Sequence, residues 1–341
     1  MKQSIWIVVL FSLALQCCKK ETSECSTPED SAVELNLPSH FPEIEFPEDN
    51  ALTEKRIELG RRLFFDTRLS STNELSCGSC HLQELAFSDG LAVSEGVENR
   101  VGTRNAPSLG NVAYQERLFM EGGVPSLELQ VLAPIGDENE FDHEVILIEA
   151  DLQADETLNN LSQIAYNRDI DIYVITRAIS AFERTFITAN SKYDKYLQGN
   201  YSLTQEEELG RQLFFSEELN CAQCHSGHNF TDGDFYNIGL YETYEDEGRF
   251  RITNNQTDIG KFKTPSLRNV ELTAPYMHNG SIGTLDQVME HFNSGGVMHE
   301  NQSELVIPLE LSAEEKTSLL AFLYTLTDLE FITNTEFTPL N

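Results

Sequence analysis

Two Cys-x-x-Cys-His segments, Cys77–Cys80–His81 and Cys221–Cys224–His225, constrain this 341-residue chain more than any other feature. They lie in matching surroundings. Glu58-Leu-Gly-Arg-Arg-Leu-Phe-Phe65 precedes the first, and Glu208-Leu-Gly-Arg-Gln-Leu-Phe-Phe215 precedes the second. Both stretches carry apolar residues at helical spacing. Thr53 and Thr204 are suited to cap them, because a Thr oxygen accepts a free first-turn N–H. Further on, Asn105-Ala-Pro-Ser-Leu-Gly-Asn-Val112 matches Lys263-Thr-Pro-Ser-Leu-Arg-Asn-Val270. Phe119-Met-Glu-Gly-Gly with Ser126-Leu-Glu then matches Tyr276-Met-His-Asn-Gly with Thr284-Leu-Asp. Helix, motif, Pro-Ser-Leu loop and second helix thus recur in one order. A period this long is foreign to a solenoid and predicts two homologous domains related by internal duplication.

In Cys-x-x-Cys-His the two sulfurs stand about one helical turn apart and can form thioethers to the two vinyls of a haem. The His that follows then ligates the iron from one side. The competing chemistries for the same residues are a four-thiolate zinc site and a dithiol redox pair. Zinc would require the two halves to converge and would leave each adjacent His without a role. Two covalently bound haem c groups are therefore the expectation. A di-haem protein serves either as an electron carrier or as an enzyme in which one iron does chemistry and the other relays electrons. An open coordination position with acid–base groups above it distinguishes the enzyme.

The N-terminus reads as a targeting segment. Residues 1–18 are expected to be a signal peptide: Lys2 is followed by an apolar run from Ile5 to Leu15, too short to span a bilayer. The run ends at Cys17-Cys18, as in a bacterial lipoprotein signal, so the chain is expected to be exported and periplasmic, with Cys17 or Cys18 the candidate for a lipid anchor. Residues 19–50 read as a flexible tether that includes Cys25. The domains then run 51–168, a helical linker 169–203, 204–330, and a tail 331–341. The linker is read as a helical stretch from about Ile170 to Leu197. Ser312-Ala-Glu-Glu315 opens the last helix as a capping box. Hydrophobic residues make up 40% of the chain, enough for a core in each domain. The net charge of −33 excludes nucleic acid, which needs clustered Lys and Arg, and suits a basic partner.

From about Leu52 to Thr327 the chain resembles the bacterial di-haem cytochrome c peroxidases, including their methylamine-utilisation branch. The segments that carry the likeness are Leu-Phe-Phe-Asp66, Cys-Gly-Ser-Cys-His81, Ala-Phe-Ser-Asp-Gly90, Thr-Arg-Asn-Ala-Pro-Ser-Leu109, Ser-Leu-Glu-Leu-Gln130 and Thr-Ala-Pro-Tyr-Met-His-Asn-Gly280. The resemblance implies a mainly α fold of two cytochrome c-like haem domains. It implies peroxide chemistry at the N-terminal haem, and a C-terminal haem fed by a small cytochrome c or cupredoxin. It implies that Gln130 orients peroxide and that Glu140 moves its proton, with Glu138 the neighbouring alternative. It also implies a calcium ion held by Asn105 and the carbonyls of Thr273 and Pro275, and often a homodimer. Two alternatives stand beside the reduction of hydrogen peroxide to water: oxidation of another substrate, and a non-enzymatic carrier or sensor.

The chain departs from the family at three places. Val97 stands where a His caps the resting N-terminal haem in members that need reductive activation, so this haem is expected to be open. Phe292 stands at the usual far-ligand position of the C-terminal haem and cannot ligate; Met298, Met277 and His291 are the alternatives. Phe119-Met-Glu-Gly122 replaces a segment with a Trp between the haems. The only Trp of the chain is Trp6, so relay falls to Phe119 or Tyr114.

Overall fold

The computed structural model describes residues 30–340. The expected signal at 1–18, Cys17, Cys18 and Cys25 lie outside them. The described chain is mostly helical. Its helices are α1 (Glu54–Phe64), α2 (Cys77–Cys80), α3 (Leu127–Gln130), α4 (Leu132–Gly136), α5 (Val145–Gln153), α6 (Glu156–Tyr166), α7 (Ile172–Glu183), α8 (Lys192–Leu197), α9 (Gln205–Phe214), α10 (Cys221–Cys224), α11 (Phe250–Thr253), α12 (Leu285–Ser294) and α13 (Ala313–Tyr324). One antiparallel pair of short strands, β1 (Phe235–Tyr236) and β2 (Phe262–Lys263), completes the regular structure. No described helix is long and apolar enough to cross a membrane.

The two halves are built on helix crossings of one kind. α1, capped by Thr53, buries Leu59, Leu63 and Phe64 against α7; α9, capped by Thr204, buries Phe214 against α13. Each crossing is set by a glycine. A Cβ on Gly60 would lie 1.8 Å from the Ala178 carbonyl oxygen, and one on Gly210 would lie 1.8 Å from that of Ser318. Only a residue without a side chain lets the backbones approach so closely. Around the crossings, Phe64 meets Phe182 edge-on at 5.5 Å, and Phe214 meets Phe322 at 5.2 Å. Each such buried ring contributes on the order of 1.5–3 kcal/mol. Ser312 caps α13 through the expected box with Glu315.

Buried polar groups tie the halves together. Asn111 and Asn269, both in left-handed backbone, reach Thr188 from opposite sides. Asn111 donates to the Thr188 carbonyl at 2.9 Å, and Asn269 donates to its hydroxyl at 3.0 Å. Asp194 receives two parallel bonds from Arg268, each 2.9 Å, in a fully buried pair.

Three expected boundaries change. Residues 30–50 are docked rather than a free tether. Asp30 accepts from the Thr53 hydroxyl and the Lys55 amide, Phe41 is buried against His228, and Asn50 is buried on Glu128. The stretch 169–203 is not a separate linker: α7 is the inner helix of the first core, and the chain breaks at 184–191 before α8. The tail from 331 returns to the first half. Phe331 and Phe337 join its core, and Arg61 donates to the carbonyls of Thr335 and Thr338. These are apolar and main-chain contacts between parts distant in sequence, which no local pattern encodes.

Candidate haem site

A cavity of about 1090 Å³ runs between the halves and reaches both Cys-x-x-Cys-His motifs. α2 carries Cys77 and Cys80 on its single turn, and His81 follows as its C-cap; α10 repeats this with Cys221, Cys224 and His225. His81 Nδ1 donates to the Phe87 carbonyl at 2.8 Å, and His225 Nδ1 donates to the Phe230 carbonyl at 3.0 Å. Both accepting residues are left-handed, Phe87 at φ 62° and Phe230 at φ 51°. That conformation costs a non-glycine residue about 1–3 kcal/mol and persists where packing enforces it. Its effect is to fix the tautomer, leaving Nε2 of each ring with a free lone pair for a metal. Burial keeps both imidazoles neutral, as a ligand requires.

These residues fit haem c. The four thiols form no disulfide, and all line the cavity. Burial pushes the Cys80, Cys221 and Cys224 thiols up to about 11, and Cys77 higher still. Such thiols are poor redox nucleophiles, which disfavours a dithiol pair. Among the described residues no group of three or more His, Cys, Asp or Glu gathers as a metal cage, which disfavours the zinc arrangement.

A family profile described as di-haem cytochrome c peroxidase matches residues 54–202 and 204–336. The chain belongs to this family. It is 32% identical over 322 residues to a cytochrome-c peroxidase of Pseudomonas sp. (strain SCT), covering 83% of each chain. It is 31% identical over 315 residues to the methylamine utilization protein MauG of Methylorubrum extorquens, covering 91% of this chain and 89% of that one. Among solved structures, a MauG-like protein associated with microbial copper homeostasis superposes with a TM-score of 0.88 at 36% identity. That match covers 90% of this chain and 99% of the other. Membership makes the chain an oxidoreductase of the peroxidase type and implies two haem c groups.

Several of the residues expected at the site lie on the cavity wall. Gln130 ends α3, which is pinned by Glu128: this buried carboxylate accepts from Arg184 at 2.7 Å and from Asn50 at 2.9 Å. Glu140 lies on the same wall, in the loop between α4 and α5. Glu140 is an exposed residue of this wall, yet protein atoms crowd around its carboxyl. That partial desolvation, reinforced by the charge of Asp137, pushes the carboxyl up to about 7. Gly96 lets the loop close in, since a Cβ there would stand 2.0 Å from the Asn139 carbonyl. Glu138 is exposed and off the wall. Val97 is 1% exposed and also off the wall.

On the C-terminal side, Leu285, Val288, Met289 and Phe292 of α12 line the cavity at helical spacing. Met277 lines it as well, in left-handed backbone at φ 75°. Met298 is 95% exposed and away from the cavity, and His291 spends Nε2 on the Ile238 carbonyl at 3.1 Å. Among the expected ligands, only Met277 is therefore brought to the wall. Asn105, Thr273 and Pro275 all line the cavity; the Asn105 backbone N–H donates to the His278 carbonyl at 2.9 Å, and its side-chain amide donates to the Leu91 carbonyl at 2.6 Å. Phe119 and Tyr114 line it too.

Sequence reasoning passed over several residues here. His278 stacks on Phe262 at 3.9 Å, and burial holds it neutral by pushing it down to about 4. Glu183 is 4% exposed on the cavity wall, with Oε2 lacking a hydrogen-bond partner among the described residues. Burial pushes its carboxyl up to about 8. The carbonyls of Phe87 and Phe230 had a legible signal in the repeated Phe-Ser-Asp-Gly90 and Phe-Thr-Asp-Gly233.

Proposed function

We propose that the chain reduces hydrogen peroxide to water at a haem fixed by Cys77, Cys80 and His81. Electrons arrive through a second haem at Cys221, Cys224 and His225. Each turnover takes one peroxide, two electrons and two protons and yields two waters. The electrons come from a small donor, a cytochrome c or cupredoxin, and a carrier with a basic face suits a chain of net charge −33.

The observation that carries this reading is Glu140, a carboxyl titrating near neutrality on the wall of the cavity that holds the first motif. Haem, when bound, supplies an electron store and a metal position for peroxide. Glu140 takes the proton from one peroxide oxygen and returns it to the other as the O–O bond breaks. General acid–base catalysis of this kind contributes roughly 10²–10⁴ in rate. Gln130 orients the peroxide through its amide, and the neutral imidazoles of His81 and His225 would hold the irons.

The finer expectations join the proposal. The apolar run 5–15 supports export, with lipidation at Cys17 or Cys18. Neutral oxygens of Asn105, Thr273 and Pro275 would hold calcium where the 105 loop meets the 273–278 turn. The matched crossings at Gly60 and Gly210 support duplication of one ancestral domain. Stopped-flow spectroscopy of the haem-loaded protein with peroxide and a reduced donor tests the reading. Rapid oxidation followed by donor turnover is expected; two haems indifferent to peroxide would make the chain a carrier or sensor.

A further inference from the structure

In a chain with 56 acidic and 23 basic residues, every cation should find a carboxylate. Lys2, Lys19 and Lys20 lie outside the described residues. Among the rest, Arg56, Arg117, Arg249, Arg251 and Lys263 have no ion-pair partner among the described residues. Arg56 lies in α1, over the Tyr166 ring. The other four gather at one place, where the 115–121 loop of the first half meets α11 and β2 of the second.

Lys263 is the most constrained of the four. Its backbone amide donates to the Met120 carbonyl at 2.6 Å, holding it at the seam. Its ammonium donates to Gln115 Oε1 at 2.5 Å and to the Arg117 carbonyl at 2.6 Å, both neutral acceptors. An ammonium has three N–H donors, so one remains to spend. Lys263 lines the cavity, as do Arg117 and Arg251. Arg117 also lines an outer pocket of about 260 Å³, together with Arg249. Burial pushes Lys263 down to about 8, because only Glu121 opposes the cost of a charge there. A half-buried cation served only by neutral groups gains from an anion beside it. An acidic partner docking from outside would meet Arg117 and Arg249 in the outer pocket, but it would not reach a lysine on the inner wall.

We propose that Lys263, with Arg117 and Arg251 on the same cavity wall, is an anion site for haem carboxylates at the seam between the halves, and that its charge raises the reduction potential of the haem it holds. The inference rests on the haem reading above. Each haem carries two propionates, so the cavity must receive four carboxylates. Of its other cationic side chains, Arg104 is taken by Glu121 and Asp246, and Arg268 by Asp194. A positive charge beside a haem favours the ferrous over the ferric state, so removing it lowers the potential. Lys263 thereby acts on electron flow through the haem, as a positioning and tuning residue.

The test compares full-length, haem-loaded wild type with Lys263→Met and Lys263→Arg. Haem content is measured first from the reduced pyridine haemochrome. The two haems are then titrated separately by spectroelectrochemistry, and their propionate bending modes are read by resonance Raman. Lys263→Met should lower the potential of one haem and shift the propionate modes of that haem. Lys263→Arg should restore both. The haem that moves is the one whose carboxylate is held. Unchanged potentials and Raman modes at full haem content would overturn the proposal, whereas absence of covalent haem would overturn the parent reading as well. If Lys263→Met does not accumulate folded, Arg251→Met at an exposed position carries the same comparison, with the same two outcomes.

Discussion

The backbone N–H of Val97 donates to the carbonyl of Glu140 at 2.8 Å, while the Val97 side chain is buried at 1% exposure. One loop thus supports the carboxylate at the cavity and offers no ligand of its own from that position. The first haem should be high-spin in the resting ferric protein and should react with peroxide without prior reduction. Electron paramagnetic resonance and optical spectra of the oxidised protein check this, and a low-spin bis-His signal from that haem would refute it.

Glu140→Gln should slow the reaction with peroxide by roughly 10²–10⁴ and leave the resting spectra unchanged. Because the carboxyl is pushed up to about 7 and acts as the base, the wild-type rate should rise with pH along a limb centred near that value. The variant should lose the limb. Stopped-flow rates between pH 5 and 9 measure both effects.

Met298→Leu should leave the C-terminal haem spectrum and potential as they are, since Met298 is 95% exposed and off the cavity wall. Met277→Leu, at a residue on that wall, is the informative comparison. A thioether-to-iron charge-transfer band lost in Met298→Leu would show that the 295–298 segment swings inward when haem is bound.

Gly60→Ala should destabilise the protein by about 3 kcal/mol or more, because its Cβ would stand 1.8 Å from the Ala178 carbonyl and the helices would have to separate. Gly136→Ala is the control: nothing lies within 4 Å of a Cβ there, and stability should hold or rise slightly. Denaturant midpoints of the loaded proteins decide between them.

Asp194 is held down to about 2. Burial works against its ionisation, but Arg268, Ser191 and His40 more than offset this. A depressed carboxylate stabilises the fold fully above its unfolded pKa, about 4, and that contribution is lost as pH falls through about 2. Acid unfolding of the wild type should show this loss, and Asp194→Asn should remove it from the profile. Asp194→Ala, which strands the buried Arg268, should cost about 3–5 kcal/mol at neutral pH.

What could be read from sequence is what is local. The capping Thr residues, the single-turn motif helices and the Ser312 box depend on neighbours within a few positions, and each appears where the residues predict it. Gln130 and Glu140, ten residues apart, both line the cavity. What could not be read depends on contacts between distant parts. The docking of 30–50, the return of Phe331 and Phe337, and the lack of an ion pair to Lys263 among the described residues follow from how the halves meet. As letters Met298 leads and Met277 follows as a ligand, and the path of the chain reverses that order by putting Met298 at the surface and Met277 at the cavity.

The glycine crossings also order the maturation of the chain. α1 finds its partner only when α7 is available, and the first Cys-x-x-Cys-His lies in the stretch between them; α9, α13 and the second motif stand in the same relation. Before closure each motif sits in a wide loop with its thiols open to solvent. After closure those thiols line the cavity half-buried, and the protein packed around them suppresses their reactive anions. On the haem reading, thioethers are expected to form on the open chain, with each helix pair then locking around a group already attached. A variant that closes early, before attachment, would be trapped as a compact protein without haem.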